Sequence, residues 1–239
     1  MSKRIKVVII SGGGVYGIIP CLFLKLINKQ DLSHVDVIGG TSVGGILALH
    51  LSRFHDNEKL YEDFKKSVSC FFVRNLTNYI NPFSPKYDIK PVEQTLKKMI
   101  PGTVSECKNK FVVPCFNFKS VSPVIFHNFD KSYEHMNLWS IARATSAAPM
   151  YYEPYSENIL LDGGILENLP IITTASVICK YYHKKPSDLD IFAIGTGIID
   201  QNFNKTQKEV SHYSKLDWAK KLMPIVTTGG NEMMSQLWG

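Results

Sequence analysis

Ile5-Lys6-Val7-Val8-Ile9-Ile10-Ser11-Gly12-Gly13-Gly14-Val15-Tyr16-Gly17 and, further on, Val35-Asp36-Val37-Ile38-Gly39-Gly40-Thr41-Ser42-Val43-Gly44 are the two stretches that decide the fold. Residues 5–10 are β-branched apart from Lys6, the composition of a strand buried on both faces. The glycine cluster ends that strand. Ile18 to Ile27 then reads as a helix, with Leu22, Leu24, Leu26 and Ile27 apolar and Pro20 tolerated in the first turn. Val35–Gly39 reads as a second strand and Gly45–Ser52 as a second helix. Strand, glycine turn and helix, twice over, predict a parallel sheet covered by helices.

Outward from there, Asp56–Pro101 reads as mixed and mostly helical, broken by the loop Asn81-Pro82-Phe83-Ser84-Pro85. Strands are expected again at 111–118, 121–127, 159–161 and 189–194. Leu216 to Val226 carries apolar residues at 216, 219, 222, 223 and 226, an amphipathic helical spacing. The expected fold is therefore α/β, a three-layer sandwich with a central, mainly parallel sheet flanked by helices. No internal repeat or low-complexity segment interrupts it.

The chain has 239 residues, of which 44% are hydrophobic and 20% charged, enough for one domain with a real core. The net charge of +6 is scattered in short clusters such as Lys97-Lys98, Lys184-Lys185 and Lys220-Lys221. No basic run with interleaved aromatics occurs, which argues against a nucleic-acid partner. Five cysteines, with no Cys-x-x-Cys, favour reduced thiols in the cytoplasm over a disulfide framework or a metal finger. The N-terminus lacks the pattern of a secretory signal, and no apolar run approaches the roughly 20 residues of a membrane span. Any contact with a membrane is expected to be peripheral.

Gly40-x-Ser42-x-Gly44 falls between a strand and a helix. That context puts a serine on a sharp turn, hydroxyl exposed, with helix N–H groups behind it to favour a developing negative charge. It is also the pattern of a plain strand-to-helix turn with a serine cap. Gly12-x-Gly14-x-x-Gly17 fits a dinucleotide fingerprint and equally a loop of free N–H groups that forms an oxyanion hole. A dinucleotide site requires an acidic residue at the end of the second strand; Asp36 precedes the apolar part of that strand, and its end carries Gly39-Gly40-Thr41-Ser42. Asp162-Gly163-Gly164 follows the apolar Ile159-Leu160-Leu161. That places Asp162 at a strand end, where open α/β sheets gather functional residues.

Taken in order, the glycine loop, the Gly-x-Ser-x-Gly turn and the Asp-Gly-Gly triplet resemble the patatin-like phospholipase family. Ala142-Arg143-Ala144-Thr145-Ser146-Ala147-Ala148-Pro149, then Asn168 and Pro170, and Ala193-Ile194-Gly195-Thr196-Gly197 resemble further family segments, so the likeness runs from Lys6 to Gly197. The resemblance implies a lipid acyl-hydrolase with a Ser–Asp dyad. Ser42 would be the nucleophile and Asp162 the general base. Gly12, Gly13, Gly14, Gly17 and Val43 would supply the oxyanion loop, Gly40 and Gly44 the elbow, and Gly163 and Gly164 support for the aspartate. It implies an acyl-hydrolase domain over 5–199, with 200–239 a C-terminal helical segment, naturally short or truncated. It implies no metal and no other cofactor, and as substrate a phospholipid or other acyl lipid at a membrane surface. Tyr16 departs from the Arg or Lys usual in the family's first loop.

Rival readings remain on the sequence alone. His183 and His212 both follow Asp162, which makes a Ser-His-Asp esterase available. An inactive binding or scaffold protein on the same fold is the other. Phe83, Tyr87, Tyr151, Tyr152, Tyr155 and Trp218 are candidates for an acyl groove, although aromatics more often serve the core.

Overall fold

The computed structural model describes residues 4–27, 34–74, 84–197 and 205–214, together with 217–218, 221–222 and 225–226. Six strands form one sheet: β1 (Ile5–Ile10), β2 (Val37–Gly40), β3 (Lys110–Asn117), β4 (Ser122–His127), β5 (Leu160–Asp162) and β6 (Leu189–Ile194). The order is β4-β3-β2-β1-β6, with β5 paired to β3. The contacts β6–β1, β1–β2 and β2–β3 are parallel, whereas β4 and β5 run antiparallel to β3.

Alternation along β1 separates two cores. Val8 and Ile10 pack on one face against Cys21 and Leu24 of α1 (Ile18–Leu26) and against Ile46 and Leu47 of α2 (Val43–Phe54). The same core takes Leu60 and Phe64 of α3 (Asn57–Ser67), Leu96 of α4 (Ile89–Met99) and Ile141 of α5 (Leu138–Thr145). Ile5, Val7 and Ile9 point the other way, onto Ile171 and Ile178 of α6 (Ile171–Tyr182). The three layers of the expected sandwich are present, with five helices over one face of the sheet and α6 over the other. A short α7 (Gln207–Ser211) follows.

α2 is the central helix, with every residue from Val43 to Ser52 buried. A helix apolar all round belongs inside, and its buried His50 is paired with Asp63 of α3 at 3.0 Å. α2 begins directly after Ser42, two residues earlier than the expected Gly45, and β2 runs from Val37 to Gly40 rather than from Val35 to Gly39. Asp36 explains the later start. Its carboxylate accepts the Lys6 N–H (2.9 Å) and its own N–H reaches the Lys6 carbonyl, so it clamps the amino ends of β1 and β2. No acidic side chain therefore stands at the carboxyl end of β2, as a dinucleotide site would require. The expected helix over 216–226 and the loop at 81–85 fall partly outside the described residues.

The feature that builds the site is the way β2 and β5 share one edge of β3. β2 pairs with Lys110–Val112 and runs parallel to β3; β5 pairs with Cys115–Asn117 and runs antiparallel to it. The two strands therefore approach each other head-on. They end on either side of a gap opposite Val113 and Pro114, about 10 Å of strand from Val112 to Cys115. Proline is tolerated in this central strand because the missing N–H falls where no neighbouring strand asks for it.

Candidate active site

β1, β2 and β6 are mutually parallel and send their carboxyl ends to one edge of the sheet, and β5 reaches the same place from the opposite direction. Ser42 lies between β2 and α2 with φ 55° and ψ −125°. That conformation costs a non-glycine residue on the order of 1–3 kcal/mol and persists only where the surroundings hold it. Close packing makes the turn glycine-dependent: a Cβ on Gly44 would lie 2.2 Å from the Ile10 carbonyl oxygen, and one on Gly40 2.2 Å from that of Gly44. Hydrogen bonds hold the turn on two sides. The Thr41 hydroxyl donates to the Glu167 carbonyl (2.8 Å), and the Ser42 N–H donates to Thr145 Oγ1 (3.1 Å). Val43 opens α2, so its N–H has no carbonyl partner within its own helix.

The glycine loop is anchored from beneath. The Gly12 N–H donates to the Asn168 carbonyl (2.9 Å), and the Gly12 carbonyl accepts the Thr196 hydroxyl (2.8 Å) and Asn168 Nδ2 (3.4 Å). The Thr196 N–H in turn donates to Ser11 Oγ (3.0 Å). Gly14–Gly17 then forms one tight helical turn, with Gly14 at φ 58° and Gly17 packed on Val43 and Phe64. Asn168 and the Gly195-Thr196-Gly197 turn, separate segments in the sequence, thus converge on Gly12.

Asp162 ends β5, only 3% exposed. Its main-chain N–H donates to the Ala147 carbonyl (3.0 Å), and its carboxylate accepts the Gly164 N–H at 2.7 Å. Burial pushes the carboxyl up to about 6, against the opposing pull of the Gly164 N–H and of a side-chain hydrogen bond from Ser42. Ser42 and Asp162, far apart in the chain, meet at this edge of the sheet, close enough for the Ser42 side chain to oppose the rise in the Asp162 pKa. A serine on a strained turn, beside a buried carboxylate that titrates near neutrality, has the parts for proton transfer coupled to nucleophilic attack.

The seven histidines stand elsewhere. His183 is exposed at the far end of α6, and His212 is exposed beside α7, where Nδ1 bonds the Lys208 carbonyl. Neither is a partner of Ser42 or Asp162. Of the aromatic candidates, Tyr87, Tyr151 and Tyr152 come together, with ring centroids 6.1 and 5.6 Å from that of Tyr87. Phe72 joins them edge-on at 5.4 Å from Tyr87, and its ring lies 3.7 Å from where a Cβ on Gly14 would stand. Tyr155 packs instead on Trp139, and Trp218 on Tyr213; Phe83 lies outside the described residues. Val15 and Tyr16 are each 46% exposed on the loop above.

The sequence profile of the patatin-like phospholipases matches residues 8–175, which span β1, the serine turn and the Asp-Gly-Gly triplet. The chain belongs to the patatin-like phospholipase family. Curated relatives include Patatin-15 of Solanum tuberosum, 27% identical over 98% of this chain and 71% of that protein, and Patatin-2-Kuras 2 of the same plant, 28% identical over the same shares. Among solved structures, VipD from Legionella pneumophila aligns with 94% of this chain and 55% of its own at 14% identity and a TM-score of 0.45. The type III effector ExoU aligns with 99% and 54% at 11% identity and a TM-score of 0.38. The chain spans about half the length of those two proteins.

Around the patatin-like motifs, the sequence reading missed the polar side chains that hold them: Thr41, Thr145 and Ser11. Each is a common residue type with no local signature, and its role appears only through its partner across the fold. Phe72 escaped for the same reason. Among the described residues no group of His, Cys, Asp and Glu is arranged to hold a metal ion, and no helix is long and apolar enough to cross a membrane.

Proposed function

We propose that the chain hydrolyses fatty-acyl esters of phospholipids or lysophospholipids at a membrane surface, through an acyl-enzyme on Ser42 with Asp162 as the base. One observation carries the reading: Ser42, on its strained turn, faces Asp162, a carboxyl whose burial lifts its pKa to about 6. A base poised near the working pH combines availability with driving force.

Ser42 Oγ attacks the ester carbonyl carbon as its proton passes to Asp162. The N–H groups of Gly13, Gly14 and Val43 receive the oxyanion. Gly12 shapes the loop without donating, since its N–H is committed to Asn168. Collapse of the tetrahedral adduct expels the lyso-lipid or glycerol alkoxide, which takes the proton back from Asp162. Water then attacks the acyl-serine, giving its proton to Asp162; the fatty acid leaves and Ser42 is restored. Each proton that Asp162 takes is returned, so the cycle needs no cofactor. Phe72, whose ring faces Gly14, is suited to receive the acyl chain, with the rings of Tyr87 and then Tyr151 extending the aromatic surface beyond it. The working unit is residues 5–199, which hold every group named.

Fatty-acid release from mixed phospholipid vesicles tests the proposal. The intact protein should release fatty acid with or without a metal chelator, and a fluorophosphonate probe should label Ser42. A folded protein that releases nothing and takes no label would remove the hydrolase reading.

A further inference from the structure

The serine turn is held by a side chain to which no role in the reaction has been given. Thr145, the last residue of α5, is fully buried. Its hydroxyl donates to the Pro114 carbonyl at 2.7 Å and accepts the Ser42 N–H at 3.1 Å. We propose that Thr145 is a positioning residue for Ser42, linking the strained turn to the gap that β2 and β5 leave on one edge of β3; this rests on the hydrolase reading above.

Three features point the same way. First, Pro114 lies in the gap between the ends of β2 and β5, so its carbonyl has no ladder partner on that edge. A buried carbonyl left without a donor costs about 1–3 kcal/mol, and Thr145 supplies the donor. Second, the neighbouring hydroxyl behaves differently. Ser146 Oγ turns back onto its own helix, to the Ala142 carbonyl at 2.8 Å, the ordinary fate of a hydroxyl at a helix end. Thr145 forgoes that local bond and reaches across to two other elements. Third, both neighbours make room. A Cβ on Gly45 would lie 2.8 Å from the Thr145 methyl, and one on Gly163 would lie 2.3 Å from the Pro114 carbonyl oxygen.

The link joins the two halves of the site. β3 carries Pro114 and, one residue on, Cys115, the register partner of Asp162. A bond from Pro114 through Thr145 to the Ser42 main chain therefore fixes the nucleophile relative to the strand that carries its base. It also occupies the Ser42 N–H, leaving the Val43 N–H as the donor that α2 directs at the oxyanion. Misplacing a reacting group by about 1 Å costs about 100-fold in rate.

The test compares intact protein, Thr145→Val and Thr145→Ser for kcat and KM on a soluble acyl ester, for melting temperature, and for amide exchange of Ser42 by NMR. Thr145→Val keeps the shape and removes both bonds; kcat should fall about 100-fold with KM little changed. Thr145→Ser keeps the hydroxyl and should recover kcat to within about fivefold of the intact protein. The Ser42 amide should exchange faster in the valine variant alone. A folded valine variant with undiminished kcat overturns the proposal. So does a folded serine variant as slow as the valine one, or a Ser42 amide equally protected in all three. If the valine variant fails to fold, the serine variant still decides through kcat and exchange. An intact protein without activity refutes the hydrolase reading by itself, and the exchange measurement still decides whether Thr145 holds the turn.

Discussion

Asp162 and Asp130 lie at opposite edges of the same sheet, and a neighbouring hydroxyl acts on each: Ser42 on the first, Tyr181 on the second. Their acidities move in opposite directions. Asp130, exposed just beyond β4, is drawn well below the usual carboxylate range by the Tyr181 hydroxyl and then by Ser132. Asp162 is raised to about 6, because burial outweighs the opposing pull of the Gly164 N–H and of the Ser42 side chain. Each carboxyl has polar neighbours that favour its charged form, but only Asp162 is cut off from solvent. Water is what lets a hydrogen-bonded carboxylate remain a strong acid; its removal turns the same group into a base that works near neutrality.

The largest expected effect separates the two groups by function. Asp162→Asn should lower kcat by about 10⁴-fold or more, the scale of losing the aspartate of a catalytic unit. Asp130→Asn should leave kcat within about twofold, because among the described residues its carboxylate acts on Tyr181, His127 and the Ser132 turn, all away from Ser42. Steady-state rates on one soluble ester decide it. Comparable losses in both would show that burial is not what distinguishes them.

The pH dependence comes next. Asp162 must be ionised to accept the Ser42 proton, so kcat/KM should fall below about pH 6, close to tenfold per unit of pH once Asp162 is mostly protonated. Asp130 titrates too low to contribute. A profile flat down to pH 4.5 in a folded protein would mean that the base is another group.

Stability offers a third and smaller test, and here the signs oppose. The folded-state pKa of Asp162 lies above its ordinary 3.8, so the folded protein holds that proton more tightly than the unfolded chain. Its contribution favours folding at low pH and is lost as the pH rises through about 4 to 6. At pH 8 the buried charge is a liability on the order of 2–3 kcal/mol, and Asp162→Asn should raise the melting temperature there. Asp130 acts the other way: its contribution is present above the ordinary carboxylate pKa and fades as the pH falls. Asp130→Asn should therefore lower the melting temperature at pH 8, as read by thermal denaturation at pH 4 and 8.

Legibility in the sequence divides along the same line between local and through-space features. β1, the glycine loop, the Ser42 turn and the end of β5 were readable because each is a run of residues whose own backbone preferences define it. β6 was read to the residue, 189–194. The head-on arrangement of β2 and β5 was not readable, since a three-residue strand carries no sign of its direction or partner. The bonds of Thr145, the contact of Phe72 and the Asp36 clamp were invisible for the same reason: each acts on a residue far away in the chain. His183 shows the converse error, a residue whose order in the chain suggested a role that its position denies.

That position yields the smallest prediction. α6 begins at Ile171, soon after the Asp-Gly-Gly turn, and runs 12 residues, about 18 Å, away from the site edge. His183 stands at its far end, exposed, with φ 52° and ψ 41°, and its N–H donates to the Cys179 carbonyl. This is the left-handed helix stop that glycine fills without strain. The residue therefore ends α6 and does not reach the chemistry, although its order after Ser42 and Asp162 is that of a triad. His183→Gly should leave kcat and its pH profile unchanged. It should also raise stability, because relief of the left-handed strain, about 1 kcal/mol, exceeds the added chain entropy of glycine by a few tenths. Paired melting curves and rates read both quantities on one sample. A loss of activity at unchanged stability would return a histidine to the mechanism and end the account in which burial alone makes Asp162 the base.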